Sequence, residues 1–331
     1  MTPDLLRVLN GKYNISATAL KPFGPVWQVD SAKGCFALKR TNCSTKRLIH
    51  IFETLFQIKE AGFLSPILPE TSSENLPYFQ YNNHYYQLFK WSQGQYPSFT
   101  DPGSIQKSAH LFASLHQFST KVIKLENQVP PDLIGYLKQR TAFLEEIKSF
   151  LKDERRLNRV DRTLLGWIDY YLAQARYSLS GLSNSEQASN FRTLVGFCHN
   201  DPAPRNIIIQ NGEWFLIDFE LSAWGLLITE LAKLAGRVLQ ANSWRPEVFN
   251  LVVDAYSQEK DLTSWERVVL PYLLCFPQQF WRICSQRWEE KLKWSERRFA
   301  AKLWKITDTE RQRLLFLKSV LPELASKNLY F

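Results

Sequence analysis

Short runs rich in β-branched and aromatic residues recur through the first ninety positions: Val26-Trp27-Gln28-Val29, Cys35-Phe36-Ala37-Leu38-Lys39 and Tyr85-Tyr86-Gln87-Leu88-Phe89, each bounded by Gly, Pro or Asn. Residues of this kind suit a pleated, half-buried surface, so each run predicts a strand. Between the second and third, Leu48, Ile51, Phe52, Leu55 and Ile58 return at helical spacing and stop at Gly62, predicting one helix. The pattern breaks at Trp91-Ser92-Gln93-Gly94. Beyond it Ile105, Ala109, Phe112, Ala113 and His116 share one helical face, and long amphipathic stretches follow around 133–152 and 160–180. The polar run Gly181 to Asn190 predicts a surface loop. A strand, a loop and a hairpin then occupy 195–218, and helical periodicity resumes at Thr229–Leu239 and continues through most of the remaining chain. The expectation is an α+β, bilobal chain: a small β-rich lobe with one helix over 1–91, a larger, mainly helical lobe over 92–331, and a hinge at about 90–94.

The segment Val195–Asp218 reads VGFCHNDPAPRNIIIQNGEWFLID. Asp201 and Asn206 share one short loop, and Asn211-Gly212 is a strong hairpin signal that folds Asp218 back toward them. Phosphoryl transfer needs a carboxylate to orient an attacking hydroxyl, plus an amide oxygen and a second carboxylate to hold magnesium against phosphates. Asp201, Asn206 and Asp218 offer those groups. Each has a bland alternative: an Asx-turn for Asp201 ahead of two prolines, a turn cap for Asn206, a hydrogen-bonded strand end for Asp218. His199 reads as a brace for the loop, and Arg205 as a phosphate contact or a surface residue. In the first lobe Lys39 lies on a strand as A-L-K, where an ammonium can hold nucleotide phosphates. Glu53 on the following helix is its candidate carboxylate partner, with Glu60 second. The nucleotide loop falls at Phe23-Gly24-Pro25-Val26, with Gly24 its one glycine, so the G-x-G-x-x-G loop of protein kinases is absent.

Composition adds limits. The chain has 331 residues, room for two lobes, and 22 Phe, 13 Tyr and 11 Trp against one Met, which implies a core of rigid aromatic side chains. A net charge of +9 favours anionic partners. Five scattered cysteines with no C-x-x-C pair fit a reducing cytosol and no zinc site. No stretch approaches the length of a membrane span, and the N-terminus lacks signal-peptide character. Between Trp281 and Lys318 eleven Lys or Arg face five Asp or Glu, interleaved with Trp281, Trp288, Trp294, Phe299 and Trp304. Their near-helical spacing reads as the buried stripe of amphipathic helices rather than a nucleic-acid surface.

Together, A-L-K at Lys39, the Trp91–Gly94 break, S-L-H at Ser114-Leu115-His116, H-N-D-P-A-P-R-N at 199–206 and I-D-F at 217–219 resemble the aminoglycoside phosphotransferase and choline kinase superfamily over nearly the whole chain. The 199–206 loop and Cys275-Phe276-Pro277-Gln278-Gln279-Phe280-Trp281 resemble its CotS-type spore-coat kinase-like branch most closely. The resemblance implies a protein-kinase-like fold with ATP between the lobes and an acceptor on the helical lobe. It matches Lys39 to the phosphate lysine, Asp201 to the catalytic aspartate, and Asn206 with Asp218 to the magnesium ligands. Glu220 departs from protein kinases, which carry glycine there. The implied activity is ATP- and magnesium-dependent transfer to a hydroxyl of a small molecule or coat component, in the cytoplasm or the spore coat. The basic helical lobe points to a neutral or anionic acceptor, or to coat proteins. The rival, from another class, is a non-catalytic kinase fold kept for spore-coat assembly.

Overall fold

The computed structural model describes residues 3–122, 132–185 and 194–326. Over these residues the chain forms two compact units, one of residues 3–98, 111–122 and 197–223, the other of residues 99–110, 132–185, 194–196 and 224–326.

The first unit opens with α1 (Pro3–Tyr13), followed by β1 (Ala17–Phe23), β2 (Val26–Ser31), β3 (Gly34–Thr41), α2 (Thr45–Glu60), β4 (Phe79–Tyr81) and β5 (His84–Lys90). The strands make one antiparallel sheet in the order β1-β2-β3-β5-β4. The three expected strands are β2, β3 and β5. The structure adds β1, whose Pro22 is tolerated on an edge strand, and the three-residue β4. It also adds α1, so this part of the chain has two helices where one was expected. Only Leu5 and Leu9 of α1 are fully buried, too short a repeat to stand out as a period. Both join Val29, Phe36, Leu38 and Leu88 in one apolar cluster. Helix α2 starts at Ser44, whose hydroxyl accepts from the Arg47 amide, and buries Leu48, Ile51, Leu55 and Ile58.

Helix α3 (Pro102–Val122) buries the expected face, with Ile105, Ala109, Phe112, Ala113 and His116 all at 2% exposure or less. The second unit is helical: α4 (Leu133–Asp153), α5 (Arg159–Ser185), α6 (Leu227–Ala241), α7 (Pro246–Glu259), α8 (Ser264–Cys275), α9 (Gln278–Trp288), α10 (Glu296–Thr307) and α11 (Glu310–Val320). Leu144, Ile147, Leu164, Ile168, Tyr171, Phe280, Ile283, Phe299 and Leu303 form its apolar cluster. Buried among these helices, Arg313 pairs with Glu310 at 2.7 Å, and Tyr170, Tyr171 and Gln174 donate to the same carboxylate. Such a buried pair is tolerable because nearly every polar atom in it has a partner.

The loop expected from Gly181 is not one in its first part: Gly181–Ser185 continue α5, and 186–190 lie outside the described residues. A Cβ on Gly181 would run into the Tyr272 ring of α8. That glycine marks a close helix approach rather than a chain break.

Candidate active site

Strand alternation sends Phe36 and Leu38 of β3 into the apolar cluster and Lys39 to the other face. There Lys39 Nζ meets Asp218 Oδ1 at 2.6 Å and Glu220 Oε1 at 2.9 Å. The Glu220 contact is one of charge only, because its Oε1 is buried and has no partner with hydrogen-bond geometry. Burial alone would push the Lys39 ammonium down, but the two carboxylates more than offset it, and the net direction is up.

Glu53 is not among the partners of Lys39. It is exposed on α2, about 140–160° around the helix from Ile51, Leu55 and Ile58. Glu60 is exposed too. The helix contributes Arg47 instead, which donates to the Glu220 carbonyl from Nε at 3.0 Å and from an Nη at 2.9 Å, and to the Ser222 carbonyl at 2.9 Å. This ties α2 to the backbone that carries Asp218 and Glu220. No motif in the sequence signals either Arg47 or the Lys39–Glu220 contact, although the helical period already places Glu53 on the outer face.

The loop after β6 (Val195–Cys198) is built around His199, which is fully buried beside Phe219, with ring centres 4.5 Å apart. Its Nε2 lies 2.8 Å from the Ile217 carbonyl, and its Nδ1 takes the Asp201 amide at 3.4 Å. The ring is therefore a brace between the loop and the strand that leads to Asp218. Asn206, 2% exposed, donates from Nδ2 to the Asp201 carbonyl and to Asp201 Oδ2, both at 2.9 Å. Arg205 is exposed and reaches the same Oδ2 at 2.6 Å.

Strands β7 (Ile207–Gln210) and β8 (Glu213–Leu216) pair antiparallel around Asn211-Gly212, both with positive φ, as the hairpin signal requires. The Ile217 amide donates to the Asn206 carbonyl at 3.0 Å. His199 and Asn206 thus hold the one residue before Asp218 from both of its peptide groups. Asp218 itself adopts φ 65, ψ 58, a left-handed conformation unusual for any residue but Gly and tolerated best by Asn and Asp. The turn there lifts its carboxylate off the end of β8 toward Lys39.

Gln95 exchanges both backbone hydrogen bonds with Ile209, at 3.0 and 2.8 Å, and a Cβ at Gly94 would strike the Ile209 carbonyl. Gly24 makes the tight β1–β2 turn with φ +56, and a Cβ there would meet open space.

The donor set of Asn206, Asp218 and Glu220 consists of an amide and two carboxylates, the hard oxygens that magnesium prefers. Glu220 Oε1, buried and without a hydrogen-bond partner although Lys39 lies 2.9 Å away, keeps lone pairs that suit such an ion. Around it stand a cation suited to phosphate oxygens, Lys39, and a carboxylate suited to a hydroxyl proton, Asp201.

The sequence profile of the phosphotransferase enzyme family (APH) matches residues 24–269. The fold resembles that of an aminoglycoside phosphotransferase from Alicyclobacillus acidocaldarius, 21% identical, with TM-score 0.80 over 99% of this chain and 97% of that one. It also resembles spectinomycin phosphotransferase APH(9)-Ia, solved with ADP and spectinomycin (12% identical, TM-score 0.69, 96% and 98% covered). A third likeness is the amicoumacin kinase hAmiN, solved with AMP-PNP and Ca2+ (14% identical, TM-score 0.63, 96% and 93% covered). These likenesses show the fold: kinase-like, α+β, with a small antiparallel-sheet lobe and a larger helical lobe. Among the described residues no helix is long and apolar enough to cross a membrane.

Proposed function

The chain belongs to the phosphotransferase enzyme family, and on that footing we propose that it transfers the terminal phosphoryl group of ATP to an alcohol. The contact between Lys39 and Asp218, 179 residues apart in sequence, carries this reading, because it unites the strand lysine with the loop of Asp201 and Asn206. Lys39 neutralises phosphate oxygens, with Arg205 as a second cation and the Gly24 turn as the cover over the nucleotide. Asn206 and Asp218, joined by Glu220, hold magnesium, which when bound supplies charge neutralisation along the phosphates. Asp201 orients the acceptor hydroxyl and takes its proton as the new O–P bond forms and the bond to the ADP oxygen breaks. Arg205 and Asn206 keep the Asp201 carboxylate in place for that task.

For the acceptor we propose a neutral or anionic compound, a sugar, a polyol or an acidic coat protein, because the helical part of the chain is basic. Within the family we propose the CotS-type spore-coat branch, supported by the 199–206 loop and by the Cys275–Trp281 segment. We also propose the domain boundary at about 90–94, with 1–91 binding nucleotide and 92–331 carrying the acceptor site. A second reading, a kinase fold kept for coat assembly without catalysis, is favoured by the basic, Trp-rich tail and the single glycine in the β1–β2 turn.

Incubation with labelled ATP, magnesium and a panel of sugars, amino alcohols and coat extracts tests the proposal. Transfer should fall by about 10²–10⁴-fold in Asp201→Ala; transfer that persists unchanged would overturn the assignment. A melting temperature that does not respond to millimolar ATP with magnesium would favour the assembly reading, since a ligand that binds the native state stabilises it.

A further inference from the structure

The helical unit holds a second concentration of charge. Arg140 of α4 is held between two rings, its guanidinium carbon 3.8 Å from the centre of Tyr136 and 3.6 Å from that of Trp281 on α9. It donates to Gln278 Oε1, while its Nε is buried with no hydrogen-bond partner. Trp281 Nε1 is buried without a partner as well. Among the described residues no carboxylate pairs with Arg140. Burial first, then repulsion from Arg282, pushes its guanidinium down to about 9 against a smaller opposing pull from Glu289. An arginine keeps its proton in a protein, so this is a cation short of counter-charge.

The neighbouring cations are similarly placed. Arg298 and Lys302 of α10 lie over the Trp294 ring at 4.1 and 4.6 Å. The Lys302 ammonium is pushed down by burial, then by Arg298, Arg282 and Lys305. Of the nearby acids, Glu290 is taken by Arg282 and Glu296 by Arg287. Gathering like charges is unfavourable unless something offsets it. Stacking on aromatic faces holds these cations in place and partly dry, but supplies no negative charge.

We propose that this surface of α4, α9 and α10 binds a multiply charged phosphate or carboxylate compound. The Arg140 guanidinium is the specific contact, and Arg298 and Lys302 supply the surrounding field. A guanidinium fixed by two rings, with its Nε buried and one Nη given to Gln278, has only its remaining Nη N–H groups to offer phosphate or carboxylate oxygens. All of these residues lie outside the unit that holds Lys39, Asp201 and Asp218, and the site stands whether or not the chain transfers phosphate.

Calorimetric titration of the full chain with tripolyphosphate and with citrate, at ionic strength matched with sodium chloride, tests the site. At least one probe should bind saturably. Its affinity should fall by about 10-fold or more in Arg140→Gln and by about 3-fold in Lys302→Gln, and be kept in Lys39→Met, which removes the nucleotide-phosphate cation instead. Lys302 is exposed, so its variant folds even if Arg140→Gln does not. Saturable binding by neither probe, binding indifferent to Lys302→Gln, or binding abolished by Lys39→Met would each overturn the proposal.

Discussion

Asp218 combines a left-handed backbone with a charged side chain, and the two demands separate cleanly by substitution. Asn accepts φ near 65 about as well as Asp but carries no charge. Asp218→Asn should therefore fold with a stability change within about 1 kcal/mol, while phosphate transfer falls by about 100-fold or more. Urea unfolding and labelled-ATP transfer, measured on the same preparation, check both halves. A large loss of stability would show that the charge serves the fold rather than the chemistry. Lys39 teaches a related lesson. Its carboxylate partners are Asp218 and Glu220, reached through the turn after β8, not the helix that follows it in sequence. Arg47 shows what α2 contributes at this site: three hydrogen bonds to backbone carbonyls rather than an acid.

Among the elements, α5 offers a controlled comparison, because it contains two glycines in opposite surroundings. A Cβ on Gly181 meets the Tyr272 ring, whereas one on Gly166 meets nothing within 4 Å. Gly181→Ala should destabilise the protein by about 1–3 kcal/mol through overpacking. Gly166→Ala should stabilise it by about 0.5–1 kcal/mol by lowering the cost of ordering the helix. Chemical denaturation of the two variants gives the signs directly. A Gly181→Ala variant as stable as the parent would mean that α5 does not pack on α8 as described. The same element shows a limit of pattern reading. Glycine punctuates loops in sequence, but here it is the absence of a side chain that lets two helices meet. The β7–β8 hairpin is the opposite case: Asn211-Gly212 is local chemistry, and the turn forms where the dipeptide stands.

At the scale of the whole molecule, burial of ionisable groups sets the response to alkali. Burial pushes the Cys275 thiol up from 9.0 to about 12 and raises that of Cys284 too, and it raises the Tyr170 and Tyr171 phenols, with Glu310 adding to both. Above about pH 9 the unfolded chain releases these protons while the native chain keeps them, so the unfolded state binds fewer. The stability these groups contribute is full below pH 9 and is lost as pH rises toward 12. The urea midpoint should fall between pH 8 and 10.5; a flat profile would contradict the burial of these groups. Reactivity follows from the same burial, since the thiolate is the nucleophile. Of the five free cysteines, Cys198, Cys275 and Cys284 are buried and Cys35 and Cys43 partly exposed. Maleimide at pH 7.5 should modify at most Cys35 and Cys43 in the native protein and all five in urea. Of the basic, Trp-rich tail, Trp281 and Trp288 of α9 pack on the core as the helical period requires, Trp294 packs on it from the non-helical stretch before α10, and Trp304 is 65% exposed.

The sequence by itself determined whatever depends on near neighbours along the chain. The strands β2, β3 and β5, the helix over Leu48–Ile58, the Asn211-Gly212 turn and the offset of Asp201 from Asn206 are of this kind, because backbone sterics and side-chain period act over a few residues. The tertiary structure alone decided which distant groups meet. That Lys39 faces Asp218 and Glu220 rather than Glu53, that Gly181 lies against Tyr272, and that Arg140 is stacked on Trp281 all depend on how elements pack. Packing is a property of the whole set of apolar faces satisfied at once, and no local run of residues encodes it.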